Sequence, residues 1–259
     1  MLLRLVFSSL WFLAGHVVSA QSSPWSVASR EPVVPMAAGA AYHVFSVSGD
    51  DTVDFQVVVF DAARCVFRIV DQPRQIDAMS LGEALRGSTA IAGVNGGFFT
   101  PAFAPLGQVI ANGKRVGEWQ RSSLLGGALL DRKGRLQLLW RDEVALDAGI
   151  TELVQAGPRL VANGAAITGL KNSDQRPRSF VATDGEGRWA LGICRYTSLA
   201  ALAQILATPG ILPGMNIDRA LNFDGGKSTG LWLRTAAGEE VYESEIATVR
   251  NFVAIEPRK

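Results

Sequence analysis

Three tight turns, each between two short apolar segments, constrain the fold of this chain more than any other feature of its sequence. They lie at residues 112–113, 131–134 and 184–187, with the sequences NG, DRKG and DGEG. Glycine and asparagine adopt positive φ angles readily, and such turns join neighbouring antiparallel strands. The chain is therefore predicted to fold largely into antiparallel β-sheet.

The remaining segments predict about a dozen strands and two helices. Ser80 and Glu83 fit a capping box that opens a short helix to about Arg86. A second helix is predicted over residues 198–207, where it is stopped by Pro209-Gly210. We therefore predict an α/β (α+β) fold, in which a few helices pack on a mixed, largely antiparallel sheet.

The N-terminus has the pattern of a signal peptide over residues 1–20. Arg4 precedes an apolar run at 5–13, and Val18-Ser19-Ala20 supplies the small residues of a cleavage site. The run is shorter than the roughly 20 apolar residues that span a bilayer, although an uncleaved anchor stays an alternative. We predict an exported protein, periplasmic or secreted, without a membrane span in the mature chain.

Beyond this leader the chain divides into two parts. Residues 21–41 are rich in Ser, Pro and Ala and lack periodicity, so they are predicted to form an irregular lead-in. Residues 42–259 show no break in composition and no fixed repeat. This length is within the range of sheet-rich single domains, so one domain is predicted there.

The mature chain carries almost no net charge. Removing Arg4 from the 25 basic residues leaves 24, which equals the 24 acidic residues. A neutral protein has no general attraction for nucleic acid or for an anionic membrane, so neither is predicted as a partner. Arginine forks can still form local anion sites.

Histidine and cysteine limit the chemistry further. After the predicted cleavage one histidine remains, His43, which we interpret as an ordinary strand residue. Zinc sites built from several histidines are excluded, and acid–base chemistry falls to carboxylates, so no metal or cofactor is predicted. Cys65 and Cys194 lie in apolar segments, and a disulfide and two buried thiols are both open alternatives.

A first candidate site segment follows the apolar strand that ends near residue 94. Asn95 places a short amide at the strand end, and Gly96 and Gly97 allow close approach of the backbone to another group. The segment could line a binding pocket, or it could be a bulged strand end in the core.

A second candidate segment spans residues 221–229. Its Gly-Lys-Ser-Thr sequence suggests a phosphate loop, but Leu221 stands where that loop needs glycine and a strand-like run follows instead of a helix. What remains is a carboxylate at a strand end, two glycines whose amides can form an anion-binding nest, and two hydroxyls. The alternative is an ordinary hairpin turn. The candidate residues are Asp224, Gly225, Gly226, Lys227, Ser228 and Thr229.

A third candidate segment places two arginines around a proline. Arg176 and Arg178 flank Pro177 just before a strand, and the proline restricts the backbone between them. Guanidinium forks match phosphate oxygens, although a solvated surface loop is the alternative.

Taken in order, these segments resemble the phosphodiester glycosidase family. The resemblance covers roughly residues 85–256 and rests on the segments 95–99, 105–107, 112–113, 155–158, 178–185 and 220–226, together with Ser228. It implies a mixed α/β fold and the cleavage, or the binding, of a sugar 1-phosphodiester.

The resemblance also implies a set of site residues. It points to Asn95 and Asp224 as catalytic residues and to Gly96, Arg178, Gly225, Gly226 and Ser228 as substrate- or phosphate-binding residues; we add Gly97, Arg176, Lys227 and Thr229 to the binding set. Lys227 stands where the family often has a small residue, so it could pair with the phosphate or narrow the choice of substrate.

In the expected mechanism Asp224 acts as a base or steadies positive charge on the sugar. Arginines and glycine amides would stabilise the departing phosphate. Glycosidases usually pair two carboxylates, and the sequence shows no obvious second one; Asp184 and Glu186 are candidates, but their sequence is typical of a turn. One alternative is a non-catalytic envelope protein that binds glycan or phosphoglycan. A metal-dependent phosphodiesterase ranks below both, because no metal ligands cluster in the sequence.

Overall fold

The computed structural model describes residues 24–259, so the predicted signal peptide at 1–20 lies outside the described residues. Within 24–259 the chain forms 19 strands and two α-helices. The strands are β1 (Ser26–Arg30), β2 (Val34–Pro35), β3 (Ala41–Ser48), β4 (Thr52–Asp61), β5 (Cys65–Asp71), β6 (Ala92–Asn95), β7 (Val109–Ala111), β8 (Lys114–Val116), β9 (Gly127–Arg132), β10 (Arg135–Trp140), β11 (Ile150–Ala156), β12 (Arg159–Ala162), β13 (Ala165–Ala166), β14 (Arg176–Thr183), β15 (Arg188–Thr197), β16 (Arg219–Asn222), β17 (Leu231–Arg234), β18 (Glu240–Glu243) and β19 (Asn251–Pro257). The helices are α1 (Leu81–Arg86) and α2 (Leu199–Ala207).

The strands form three sheets. Sheet 1 has the order β1-β3-β4-β15-β14-β16-β12-β13, with β2 also paired to β3. Sheet 2 has the order β10-β9-β11-β7-β8, and sheet 3 has the order β18-β17-β6-β19-β5. The paired strands of all three sheets run antiparallel in the part of the chain that the structure describes. The predicted fold class is confirmed.

The three predicted turns connect the strand pairs β7–β8, β9–β10 and β14–β15. Positive φ angles occur at Asn112 and Gly113, at Lys133 and Gly134, and at Gly185. Glycine and asparagine adopt positive φ readily, which is why their positions in the sequence indicated these turns.

Both helices start at the serine that the sequence indicates. Ser80 and Glu83 form the capping box of α1, in which the Glu83 carboxylate accepts the Ser80 amide at 2.8 Å. Ser198 caps α2 by accepting the Ala201 amide at 3.0 Å. These contacts satisfy amide groups that the first helical turn leaves without a partner.

The main core lies on one face of sheet 1, where sheets 2 and 3 pack against it. Side chains alternate along β15, so Leu191 and Ile193 enter this core while Ala190 and Cys194 face the opposite side. Helix α2 covers that opposite face with Leu202, Ala203, Ile205 and Leu206. Sheet 1 is therefore buried on both faces.

The expectation of an irregular lead-in is wrong for the described part of residues 21–41. Strand β1 pairs with β3, and the Trp25 indole is buried and donates to the Gln204 side chain of α2 at 3.2 Å. The sequence does not reveal this strand, because its side chains are mostly exposed at the edge of sheet 1 and the residues around it are rich in proline and serine. Strands β11 and β18 were also not predicted.

Cys65 and Cys194 are two buried free thiols, which decides between the two alternatives. They lie on β5 of sheet 3 and β15 of sheet 1. Burial raises the pKa of Cys65 to about 11 and also raises the pKa of Cys194. Both groups are therefore protonated at neutral pH.

A buried carboxylate connects sheets 2 and 3. Glu152 on β11 is 1% exposed and accepts the Ile69 amide of β5 at 3.0 Å and the Asn112 amide at 3.3 Å. Arg68 donates to it at 3.2 Å. Burial raises the pKa of Glu152 despite these contacts. Removing this carboxylate would leave buried donors without an acceptor.

We expect Glu152→Ala to lower the free energy of unfolding by about 3 kcal/mol, because two buried amides and a guanidinium lose their acceptor. Urea titration followed by circular dichroism measures this value. Glu256→Ala is the matched control, since Glu256 contacts the same Arg68 from a more exposed position at 3.4 Å. We expect the control to lose under about 1 kcal/mol; equal losses would contradict a connecting role for Glu152.

Candidate functional site

Two strand ends from different sheets meet at Asn95 and Asp224. β6 of sheet 3 ends at Asn95, and β16 of sheet 1 ends two residues before Asp224. The Asn95 amide Nδ2 donates to the Asp224 carbonyl at 2.7 Å, and the Asp224 amide donates to the Gly96 carbonyl at 3.0 Å. The structure therefore brings the first and second candidate segments together.

Asn95 itself has no face open to a ligand. It is 0% exposed, and its Oδ1 accepts hydrogen bonds from the Ser179 hydroxyl and, at 3.3 Å, from the Gly230 amide. Because every polar atom of the side chain is already engaged by the protein, the geometry favours a positioning role, and the catalytic role stays a prediction.

The amides of Gly96 and Gly97 are also occupied. Gly96 donates to the Asn251 carbonyl and Gly97 to the Asn251 Oδ1, both at 2.8 Å. A Cβ atom on Gly96 would lie 2.1 Å from that oxygen. The two glycines are thus required for close backbone packing, and since their amides are occupied, phosphate binding by them stays a prediction without support from these contacts.

Asp224 opens the aspartate turn, which we define as residues 224–229. Its side chain is partly exposed, and its Oδ1 accepts the Gly225 amide at 2.9 Å. Burial raises the pKa of Asp224, and hydrogen bonds from Ser228 and the Gly225 amide lower it by a smaller amount. Among residues 24–259 no arginine or lysine forms an ion pair with it. Its carboxyl therefore titrates above the ordinary aspartate range.

The aspartate turn keeps several donors free for a ligand. Gly226 has a φ of 63°, and the amides of Gly226 and Lys227 have no acceptor in the described part of the chain. The Lys227 side chain is exposed and forms no ion pair there. Ser228 and Thr229 are buried, and the Thr229 hydroxyl has no hydrogen-bond partner. A group of free donors beside a carboxyl is suited to an anion.

The two predicted arginines lie beside this turn but differ in availability. Arg178 is 7% exposed, and its guanidinium donates to the Thr197 carbonyl at 3.1 Å and to the Asp174 carbonyl. Within its side chain the Cδ is the atom nearest to Gly225, 3.6 Å from the position of a Cβ on that glycine. Burial lowers the pKa of Arg178. Arg178 therefore lies beside the turn, but protein carbonyls already accept hydrogen bonds from two of its nitrogen atoms.

Arg176 is the more accessible arginine. It is exposed, and its Nε donates to the Asp174 carboxylate at 2.6 Å. Its Cδ would lie 3.7 Å from a Cβ on Gly226. An incoming anion at the free amides of the turn could therefore contact this guanidinium.

The two candidates for a second carboxylate are not at this site. Asp184 and Glu186 form the β14–β15 turn, at the opposite end of β14 from Arg178. Five residues of extended chain separate that end from Arg178, a distance of about 17 Å. Asp184 and Glu186 therefore lie too far from Asp224 to act with it, because β14 runs away from the aspartate turn.

A family model described as phosphodiester glycosidase matches residues 88–256, which is more than half of the chain. The chain belongs to the phosphodiester glycosidase family. The match agrees with the segments from which the resemblance was drawn. No protein with a curated description matches the sequence.

Solved structures share the fold of this family member at low sequence identity. The catalytic domain of zebrafish N-acetylglucosamine-1-phosphodiester alpha-N-acetylglucosaminidase, auto-inhibited by its pro-peptide, has a TM-score of 0.59 and 15% identity, covering 92% of this chain and 85% of that one. A hypothetical protein from Synechocystis has a TM-score of 0.60 and 17% identity, covering 88% and 64%. A Burkholderia pseudomallei K96243 protein, named as a candidate for export, has a TM-score of 0.57 and 14% identity, covering 83% and 74%.

The segment at 155–158, one of those that carry the family resemblance, contacts the end of β16. The Asn222 side chain donates to the Gly157 carbonyl at 2.9 Å. Gln155 is buried and donates to the Gln120 carbonyl at 2.6 Å. A Cβ on Gly157 would lie 2.1 Å from the Leu124 carbonyl oxygen, so this glycine allows the loop around residue 124 to approach. The segment therefore fixes the end of β16 that leads into the aspartate turn.

Two residues near the site were missed by sequence reasoning. Asn251 is 0% exposed and holds the Gly96-Gly97 pair, but a single asparagine before an apolar strand carries no recognisable pattern. Glu245 lies beside the turn, with Oε2 3.0 Å from the position of a Cβ on Gly230, and its carboxylate accepts the Leu81 amide at 2.7 Å. Only the fold brings Asn251 beside Gly96 and Gly97 and Glu245 beside Gly230.

Other expectations concern metals, histidine and membranes. In the described residues, no three His, Cys, Asp or Glu side chains cluster closely enough to hold a metal ion; that none is required stays a prediction. His43 is a buried residue of β3, and burial lowers its pKa. No helix within residues 24–259 has the length and apolar character to cross a membrane.

Proposed function

We propose that this protein hydrolyses the glycosidic C–O bond of a sugar 1-phosphodiester that belongs to an exported or envelope glycan. The observation that carries the proposal is the aspartate turn, in which a partly exposed carboxyl of raised pKa stands beside two free amides. Family membership supplies the reaction class, and the residues of the turn supply groups that fit each part of it.

The leaving group would be held by the turn. The group that departs is a phosphate monoester, a stabilised anion, so hydrogen-bond donors that stabilise its growing negative charge replace strong protonation of the leaving oxygen. The Gly226 and Lys227 amides, with the exposed Lys227 and Arg176 side chains, are the groups available for this. The buried Thr229 hydroxyl adds a donor that has no protein partner.

Asp224 would act in its ionised form. It would accept a proton from the attacking water, or it would stabilise the oxocarbenium-like charge on the sugar. The Asn95 amide and the Gly96 carbonyl hold the Asp224 backbone from both sides. This support fixes the carboxyl against the bound substrate.

We expect kcat/KM to rise with pH and to level off above the raised pKa of Asp224, so the acid limb lies above the ordinary aspartate value of about 3.9. The folded state holds this proton more tightly than the unfolded state. The contribution of Asp224 to stability is therefore present below pH 3.9 and is lost as pH rises through the raised pKa. A pH–rate profile measures the limb, and a midpoint below about pH 4 would contradict ionisation of Asp224 as its cause.

Hydrolysis in ¹⁸O-labelled water tests the reaction class. Synthetic sugar 1-phosphodiesters are incubated with the mature protein, with and without a chelator, and the products are analysed by mass spectrometry. Label in the released sugar supports the proposal. Label in the phosphate indicates a phosphodiesterase that cleaves the P–O bond, and binding without any product indicates a non-catalytic glycan-binding protein.

We also propose that the protein is exported, periplasmic or secreted, with residues 1–20 removed as a signal peptide and residues 42–259 within a single domain. The pattern around Arg4 and the cleavage-type residues 18–20 supports export. Mass spectrometry of the N-terminus of the expressed protein identifies the cleavage site.

A further inference from the structure

A polar cleft of about 320 Å³ opens on sheet 1 between strands β1, β3, β4 and β15. Its volume is within the range of small-molecule sites. The polar side chains along it are Ser29, Glu31, Ser46, Asp54, Gln56 and Arg195. The cleft is separate from the aspartate turn, and nothing in the proposed hydrolysis uses it.

The register of sheet 1 places this polar cleft close to the aspartate turn. The Phe223 amide donates to the Ser179 carbonyl at 2.8 Å, so the start of the turn runs beside β14. Arg178 of β14 pairs with Cys194 of β15, and Cys194 pairs with Phe55 of β4. Neighbouring strands are about 4.8 Å apart, so β15 and β4 lie about 10 and 14 Å from the turn. That span suits a sugar-phosphate-sugar unit.

A strand bulge lies between the turn and the polar cleft. Arg176 pairs with Thr197 while Arg178 pairs with Cys194, which leaves Arg195 and Tyr196 opposite Pro177. Tyr196 has a φ of 42° and is 67% exposed. Positive φ is costly for an aromatic residue, and bulges redirect side chains beside sites. The sheet thus accepts a strained backbone that presents an aromatic ring to solvent.

A single chain segment connects the polar cleft to the turn. Glu243 accepts the Arg195 guanidinium at 2.7 Å and the Gln56 amide at 3.4 Å. Three residues further on, the Ile246 amide donates to the Lys227 carbonyl at 2.8 Å. The edge of the cleft and the edge of the turn are therefore held by the same short stretch, residues 243–247.

We propose that the polar cleft binds a second sugar, the alcohol side of the diester, and that Tyr196 packs against this part of the substrate. This inference rests on the proposed function. The charges favour a neutral, hydroxyl-rich group over a second phosphate, because Glu31 and Asp54 are acidic and Arg195 is already paired with Glu243. Carboxylates accept hydrogen bonds from hydroxyls, and aromatic rings pack on apolar faces.

Steady-state kinetics with two substrates tests this subsite. One is a hexose 1-phosphodiester of a second hexose, and the other is the methyl diester of the same hexose 1-phosphate. We expect Asp54→Ala and Tyr196→Ala each to raise KM about tenfold for the sugar diester and to leave the methyl diester unchanged within about twofold. Tyr196→Phe should stay close to wild type, and Asp50→Ala, at the exposed β3–β4 turn, is the control. Equal effects on both substrates would overturn the proposal.

A binding measurement separates this inference from the proposed activity. Saturation-transfer NMR is recorded with methyl α-glucopyranoside, methyl α-mannopyranoside and methyl α-galactopyranoside on the Asp224→Asn chain and on Asp224→Asn with Asp54→Ala. Signals that weaken with the second substitution support the subsite even if the wild type hydrolyses nothing. Signals unaffected by Asp54→Ala, or no signal with any of the three sugars, reject it.

Discussion

Asp224→Asn should lower kcat by about 1,000-fold and leave the fold intact. The amide keeps the shape of the side chain and an oxygen that can accept the Gly225 amide hydrogen, now seen at 2.9 Å. It cannot take a proton from water, and it carries no charge to stabilise a cationic sugar. General-base assistance contributes about 10²–10⁴-fold, which sets the expected size. Single-turnover hydrolysis of a sugar 1-phosphodiester measures the loss of activity, and circular dichroism of the variant tests whether the fold is intact.

Glu186→Gln is the matched control for this substitution. Its carboxylate is exposed in the β14–β15 turn, far from the aspartate turn. We expect its kcat to remain within about twofold of wild type, because it has no contact with the site. Undiminished hydrolysis by Asp224→Asn would show that the Asp224 carboxylate takes no part in the mechanism.

Asn95→Ala should lower the free energy of unfolding by about 3–5 kcal/mol and kcat/KM by about 100-fold. The substitution leaves three buried groups without a partner, which are the Asp224 carbonyl, the Ser179 hydroxyl and the Gly230 amide. It also frees the Asp224 backbone from one of its two supports. Loss of stability and loss of activity therefore have one cause.

Urea unfolding and kcat/KM are measured together for this variant. Asn216→Ala is the control, since Asn216 is exposed and lies outside the site. Ser179→Ala removes one of the three contacts, and we expect it to cost about 1 kcal/mol, which keeps the comparison usable if Asn95→Ala fails to fold. Full activity in a folded Asn95→Ala protein would contradict the positioning role.

The antiparallel framework could be predicted from the sequence because its turns need special backbone conformations. Asn112, Gly113 and Gly134 adopt positive φ where the sequence indicates turns. Strand β1 could not be recognised, since its side chains are mostly exposed and alternate without a clear apolar face. Its place is set by backbone pairing with β3, which leaves no pattern in the sequence.

The candidate site was predictable in its carboxyl but not in its hydrogen bonds. Asp224 stands in a recognisable Asp-Gly-Gly turn, and the structure places Asn95 next to it. Whether an amide is free or occupied depends on residues far along the chain. Asn251, which occupies the Gly97 amide, is 154 positions away. For this reason the packing role of Gly96 and Gly97 could not be predicted from the sequence around them.

Because β19 is inserted between β6 and β5, a chain still emerging from the ribosome cannot complete this sheet until residues 251–257 have been translated. Up to that moment the two glycines after β6 lack the asparagine that immobilises them. A chain that lacks these residues would leave the Gly97 amide without the Asn251 side chain that accepts it, and β6 without one of its two strand partners.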